Sequence, residues 1–170
     1  MGRTAEDVAL MLQVVAGPSP FPPLRQPTAG RDFVGATRRG PQPKLRLAYC
    51  PDIAGIGVDP EVEKVCRDAA DALANLGHNV EEVPLDFAKA RDAFLSLRGY
   101  WFVSHMYERL GHIEEFGVNV KSNTQAGLSG SALDLGRAER VRSEMWHTFR
   151  VFFESFDHLL TPTMCVSPFP

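Results

Sequence analysis

Apolar side chains recur along this chain with two different periods, and the switches between them mark out the elements. Val8, Met11, Leu12 and Val15 fall at i, i+3, i+4 and i+7, which is one face of a helix. Thr4 stands where an N-cap belongs, Asp7 three residues on approximates a capping box, and Gly17-Pro18 closes the segment. Leu45, Leu47 and Tyr49 then alternate, the period of a strand. Asp59-Pro60-Glu61 opens a second helix, with Asp as N-cap, Pro in the first turn and Glu near the positive end of the dipole. Its apolar face is Val62, Val65, Cys66, Ala69, Leu73 and Leu76, and Gly77 comes next as the terminating residue. Val80 and Val83 mark a second strand, stopped by Pro84. Strand, helix, strand predicts a parallel pair joined by a right-handed crossover.

Asp86 is placed to cap a longer helix with Phe87, Ala90, Phe94, Leu97 and Trp101 on one face, and Gly111 and Gly117 interrupt the stretch after it. Ser131 with Asp134 repeats the capping pattern. It leads the strongest helical stripe of the chain: Ala138, Val141, Met145, Phe149, Phe152 and Phe156. Asp157 to Thr163 reads as a strand running into a turn. Residues 17 to 43 show neither period. They hold seven of the 13 prolines, with Gly30, Gly35 and Gly40, and are expected to be an extended surface segment.

The chain has 170 residues, 44% hydrophobic and 23% charged, enough apolar side chain for a core. The net charge of −3 is spread evenly, and no basic tract of the kind a phosphate backbone attracts is present, so no nucleic-acid partner is expected. No apolar run reaches the length of a membrane span, so no membrane partner is expected either. Glu6 and Asp7 break the layout of a signal peptide. Three scattered cysteines, Cys50, Cys66 and Cys165, argue for reduced thiols and a cytoplasmic location.

Candidate chemistry is sparse. Gly127-Leu128-Ser129-Gly130-Ser131 resembles a nucleophile elbow, but position 131 is not glycine, no strand precedes it, and a helix-capping Ser131 explains it. None of the five histidines pairs at zinc-helix spacing. Glu81-Glu82 and Glu114-Glu115 are adjacent in sequence, which does not set two carboxylates across a substrate. No glycine-rich phosphate loop occurs. Neither a metal nor a cofactor is expected. Tyr100-Trp101-Phe102 is a surplus of aromatic surface that serves as core or as pocket wall.

Five blocks, in order, resemble the amidase-signature family of amide hydrolases. Met1-Gly2-Arg3-Thr4-Ala5-Glu6-Asp7-Val8-Ala9-Leu10-Met11 is similar to the helix that follows the catalytic region. Leu45-Arg46-Leu47-Ala48-Tyr49 with Val58-Asp59-Pro60-Glu61-Val62 resembles the next strand and helix start. Leu76-Gly77-His78-Asn79-Val80-Glu81-Glu82-Val83 resembles a Gly-His turn into a strand. Ala138-Glu139-Arg140-Val141-Arg142 and Leu159-Leu160-Thr161-Pro162-Thr163 resemble two later blocks.

The resemblance implies an α/β fold with a mixed sheet flanked by helices, residues 1–170 forming one incomplete domain segment. It also implies carboxamide hydrolysis by a serine nucleophile, a second serine on a cis peptide and a lysine kept neutral by its surroundings. In the family those three residues precede the block that matches residues 1–11. No catalytic residue is therefore assigned, and the expectation is an internal fragment, inactive alone, whose parent takes a small-molecule amide. The alternative is a free-standing, non-catalytic binding module. Ligands of open α/β sheets sit beyond the carboxyl ends of strands. Thr161, Pro162, Thr163, Met164 and Cys165 are accordingly the candidate substrate contacts, with Arg98 and Trp101 after them. Uncovered strand edges and the bare face of the first helix lead to an expectation of self-association.

Overall fold

The computed structural model describes residues 2–17, 30–40 and 44–169. The chain forms two compact units, Met1–Pro43 and Lys44–Pro170.

The first unit holds helix α1, Ala5–Val15. Its capping box forms as the sequence predicts: Asp7 N–H donates to Thr4 Oγ1 at 3.1 Å, and Thr4 N–H donates to the Asp7 carboxylate at 3.2 Å. A short helix α2, Phe33–Arg38, comes after it, capped by Asp32, which accepts from Gly35 N–H at 2.7 Å. This corrects the expectation of an extended segment over 17–43. An aspartate N-cap and an ion pair from Arg38 to Glu6 hold one turn and a half of helix there. Residues 18–29 and 41–43 of that segment lie outside the described residues. Gln13 ties the two helices, donating to Arg31 O and accepting from Phe33 N–H. The apolar face of α1 stays largely exposed, and only Ala9 is buried.

The second unit is built on a three-stranded sheet: β1 (Arg46–Tyr49), β2 (Asn79–Glu82) and β3 (His158–Leu160), in the order β2-β1-β3. All three strands are parallel; the mixed sheet of the expectation is, in the described residues, a parallel one. Leu47 pairs with Val80 on one side and His158 on the other, and Tyr49 pairs with Glu82 and Leu160. Helix α3, Pro60–Asn75, makes the crossover from β1 to β2, with Asp59 accepting from Glu61 N–H at its start. It ends through Gly77, whose φ of 97° is the left-handed region that a side chain resists.

Because β1 has a partner on each side, its residues Leu47 to Tyr49 are all buried, and so is Cys50 just after it, as parallel central strands require. Asp157 locks β3 onto β1. Its carboxylate accepts from Arg46 N–H at 2.7 Å while its own N–H donates to Arg46 O at 2.8 Å. His78, at the entry to β2, accepts from Leu45 N–H through Nδ1 at 3.2 Å.

The remaining chain is helical: α4 (Ala90–Met106), a 3-10 turn (Tyr107–Glu115), α5 (Val118–Ser129) and α6 (Ala132–Ser155). The stripe predicted for α6 holds: Ala138 is buried and Val141, Met145, Phe149 and Phe152 are half-buried. Phe87 stacks on Phe149 at 4.7 Å and Phe152 on Phe156 at 4.8 Å. Ser131 and Asp134 form the predicted capping box. For α4 the expected face is rotated. Ala93, Leu97 and Gly99 are buried, and Phe94 and Trp101 are open to solvent. The cause is α5, which packs against the glycine side of α4. A Cβ on Gly127 would sit 2.1 Å from Gly99 O, so the two backbones touch where only hydrogen fits. Asp86 does not cap α4; its carboxylate accepts from Ala88 N–H in the turn before it.

Candidate functional site

Parallel pairing has one consequence that decides where a site can lie: the three strands end on the same edge of the sheet. The segments that leave it are Cys50–Asp52 after β1, Val83–Leu85 after β2 and Thr161–Cys165 after β3. Cys50–Asp52 and Glu82–Leu85 bound an open cleft of about 420 Å³.

Each segment is anchored. Val83 N–H donates to Tyr49 O and Cys50 N–H to Leu160 O, both at 2.9 Å, so the ladder continues one residue past the strands. Asp52 folds its loop around itself, accepting from Gly57 N–H at 2.7 Å and Ile56 N–H at 3.3 Å. Those backbone donors, Gly57 first, hold its carboxyl below the usual carboxylate range. Gly55 and Gly57 supply the positive φ values of that loop, 64° and 85°. The turn Thr161–Cys165 is fastened at its far end, where Asp59 N–H donates to Cys165 O at 2.8 Å. The start of α3 and the end of β3 are thus joined across the carboxyl edge.

Beneath the edge lies Tyr49, its ring covered by the Arg67 guanidinium at 5.3 Å. Burial pushes the Tyr49 phenol up, and Arg67 opposes that shift. Arg67 is fixed by Glu82 at 2.8 Å and Glu63 at 3.2 Å, and these hydrogen bonds raise its own pKa.

The five candidate residues of the turn divide by orientation. Thr161 Oγ1 is buried and has no hydrogen-bond partner among the described residues. Pro162 and Cys165 are half-buried, and Thr163 and Met164 are exposed. The side chains offered outward by this turn are therefore Thr163 and Met164. Arg98 and Trp101 stand on α4, which packs against α5 and α6. Arg98 sits two turns into α4, about 12 Å along the helix from Ala90. It donates through Nε to Asn123 Oδ1 at 2.7 Å. No hydrogen bond or ion pair among the described residues joins either residue to Thr161–Cys165.

The sequence places a loop at Pro51 and Gly55-Ile56-Gly57, but the role of Asp52 in closing it was not read. Sequence reasoning also missed Asn123 as the partner of Arg98, for which no local signal exists, since the two lie on separate helices. Among the described residues, no three His, Cys, Asp or Glu side chains gather in a way that could hold a metal ion. No helix among them is long and apolar enough to cross a membrane.

The family profile described as Amidase matches residues 1–170. An acylamidase of Rhodococcus erythropolis is 34% identical over 99% of this chain, and the match spans 36% of that protein. An amidase of Pseudomonas putida is 30% identical over 95% of the chain and 35% of its own length. Two solved structures share the fold: a bacterial aryl acylamidase of the amidase-signature enzymes (TM-score 0.80, 22% identity, 98% of this chain and 36% of that one), and a 6-aminohexanoate cyclic dimer hydrolase complexed with substrate (TM-score 0.78, 22% identity, 98% and 37%). The chain spans little more than a third of the length of these proteins.

Proposed function

The chain belongs to the amidase family, and from that membership we propose that it forms the sheet-edge wall of a small-molecule amide hydrolase and does not itself carry the reacting groups. The observation that carries this reading is the gathering of three strand ends on one edge, with the Thr161–Cys165 turn fastened there by Asp59 N–H. Loops at the carboxyl edge of a parallel sheet are where such folds hold ligands. Thr163 and Met164 face outward from that turn and are the wall; Thr161, Pro162 and Cys165 support it from inside.

The lysines support the non-catalytic half of the reading. A lysine base must shed its proton, which takes burial away from acids. Lys44 and Lys89 are exposed, Lys64 is paired with Asp68, and Lys121 is paired with Glu114. None of the four is a buried lysine held away from acids. The amide bond is broken, in this reading, by groups outside these 170 residues.

The wall is tested in a full-length relative such as the Rhodococcus erythropolis acylamidase. Bulky substitutions at the positions aligned with Thr163 and Met164 are expected to raise KM for anilides several-fold. The same substitution at the position aligned with Lys64, on the exposed side of α3, leaves KM unchanged. Equal effects at all three positions, or none, would contradict the assignment.

A further inference from the structure

Arg98 is the exception among the half-buried cations of the described residues. Three Lys or Arg side chains are half-buried in the described residues: Arg67, Arg98 and Lys121. Arg67 is answered by Glu63 and Glu82, and Lys121 by Glu114. Arg98 has no carboxylate partner among the described residues, and the stretches 18–29 and 41–43 contain no Asp or Glu that could supply one.

Its setting is nevertheless a built one. The guanidinium carbon lies 5.8 Å from the centre of the Phe94 ring and 5.2 Å from that of Phe102, within the range of cation–π attraction to both. Nε is spent on Asn123 Oδ1 at 2.7 Å, which fixes the plane of the fork. The two terminal nitrogens make no hydrogen bond within the described residues. Phe94, Leu95 and Trp101, on the same side of α4, leave apolar surface open beside the charge. A partly dehydrated guanidinium with a fixed plane and free terminal donors matches a carboxylate, which accepts two parallel N–H bonds.

We propose that Arg98 is a carboxylate-binding residue, taking a small carboxylate whose apolar portion lies against Phe94 and Trp101. The proposal is independent of the sheet-edge wall. A lysine would not replace Arg98, because an ammonium lacks the planar fork that meets both oxygens of a carboxylate.

The test uses the intact chain with Trp146→Phe, so that Trp101 is the remaining tryptophan of the two. Hexanoate is titrated against Trp101 fluorescence, with hexanamide as the neutral isostere. Hexanoate is expected to give a saturable change, at least tenfold tighter than hexanamide and weakened by added salt. Arg98→Lys is expected to weaken hexanoate about tenfold, and Arg98→Gln to abolish saturation, each with an unchanged far-ultraviolet circular dichroism spectrum. Equal responses to the acid and the amide, or retention of saturable hexanoate binding in Arg98→Gln, would overturn the proposal. The acid-against-amide comparison stands even where a variant fails to fold. Its failure would leave the amide-hydrolase reading in place, since that reading rests on the strand ends and not on α4.

Discussion

Strand β1 and helix α6 are both rich in apolar residues, and the fold treats them in opposite ways. In β1, Leu47 is 3% exposed, Ala48 0% and Tyr49 3%. In α6, 24 residues long, Ala138 is the one buried residue, while Trp146 is 69% exposed and Phe153 46%. The difference follows from where each finds its hydrogen bonds. A strand can satisfy its backbone only through neighbours, so β1 exists because β2 and β3 hold it on both sides. A helix satisfies its own backbone and needs only its ends capped, which Ser131 and Asp134 do for α6. The sheet is therefore the rigid frame on which the carboxyl edge hangs. The outer helical faces are formed locally, whether or not anything covers them.

The contrast can be broken most sharply in β1. Leu47→Ala is expected to lower unfolding free energy by about 2–5 kcal/mol in urea melts, by the loss of buried methyl groups and the cavity left behind. At the contact between α4 and α5, Gly127→Ala places a carbon 2.1 Å from Gly99 O. Parting the helices there is expected to cost about 1–3 kcal/mol despite the better helix propensity of alanine. Ser131→Ala removes only the cap of α6 and should cost about 1 kcal/mol. On the open face of α6, Trp146→Glu should change stability by no more than about 0.5 kcal/mol. If the self-association expected from the sequence occurs through such exposed apolar faces, the same change should shift the chain toward smaller species in gel filtration. A loss for Trp146→Glu as large as that for Leu47→Ala would erase the distinction between frame and cover.

Acid probes the frame more gently. The Arg46 side chain, and then its N–H, hold Asp157 below the ordinary carboxylate range. A carboxyl whose folded pKa is depressed contributes stability above its unfolded value and loses it as pH falls through the folded one. Midpoints of urea melts should accordingly be flat from about pH 8 to 5 and decline below about pH 4. Asp157→Asn should flatten part of that decline, an effect kept small by the exposure of the pair.

What the sequence disclosed was what local physics controls. Thr4, Asp59 and Ser131 read as N-caps and are N-caps, and the strand–helix–strand pattern gave the parallel pair of β1 and β2. The stripe of α6 was legible because its period is unbroken over five turns. The face of α4 was misjudged because two glycines on separate helices, Gly99 and Gly127, decide which side of it packs. The helix within 30–40 was hidden by surrounding prolines and glycines. At the candidate site, the turn after β3 could be placed by the rule for strand ends. The buried orientation of Thr161 and the fastening of Cys165 to Asp59 are contacts between distant segments, and no periodicity reports them.

The most direct test of the account is an assay of the chain by itself. Purified to a single folded species, it is incubated with a panel of anilides and short aliphatic amides, and product amine is measured over time. The account predicts release no faster than in buffer, since the chain supplies a wall and not the reacting groups. Turnover that co-purifies with the chain through successive columns and scales with its concentration would contradict it.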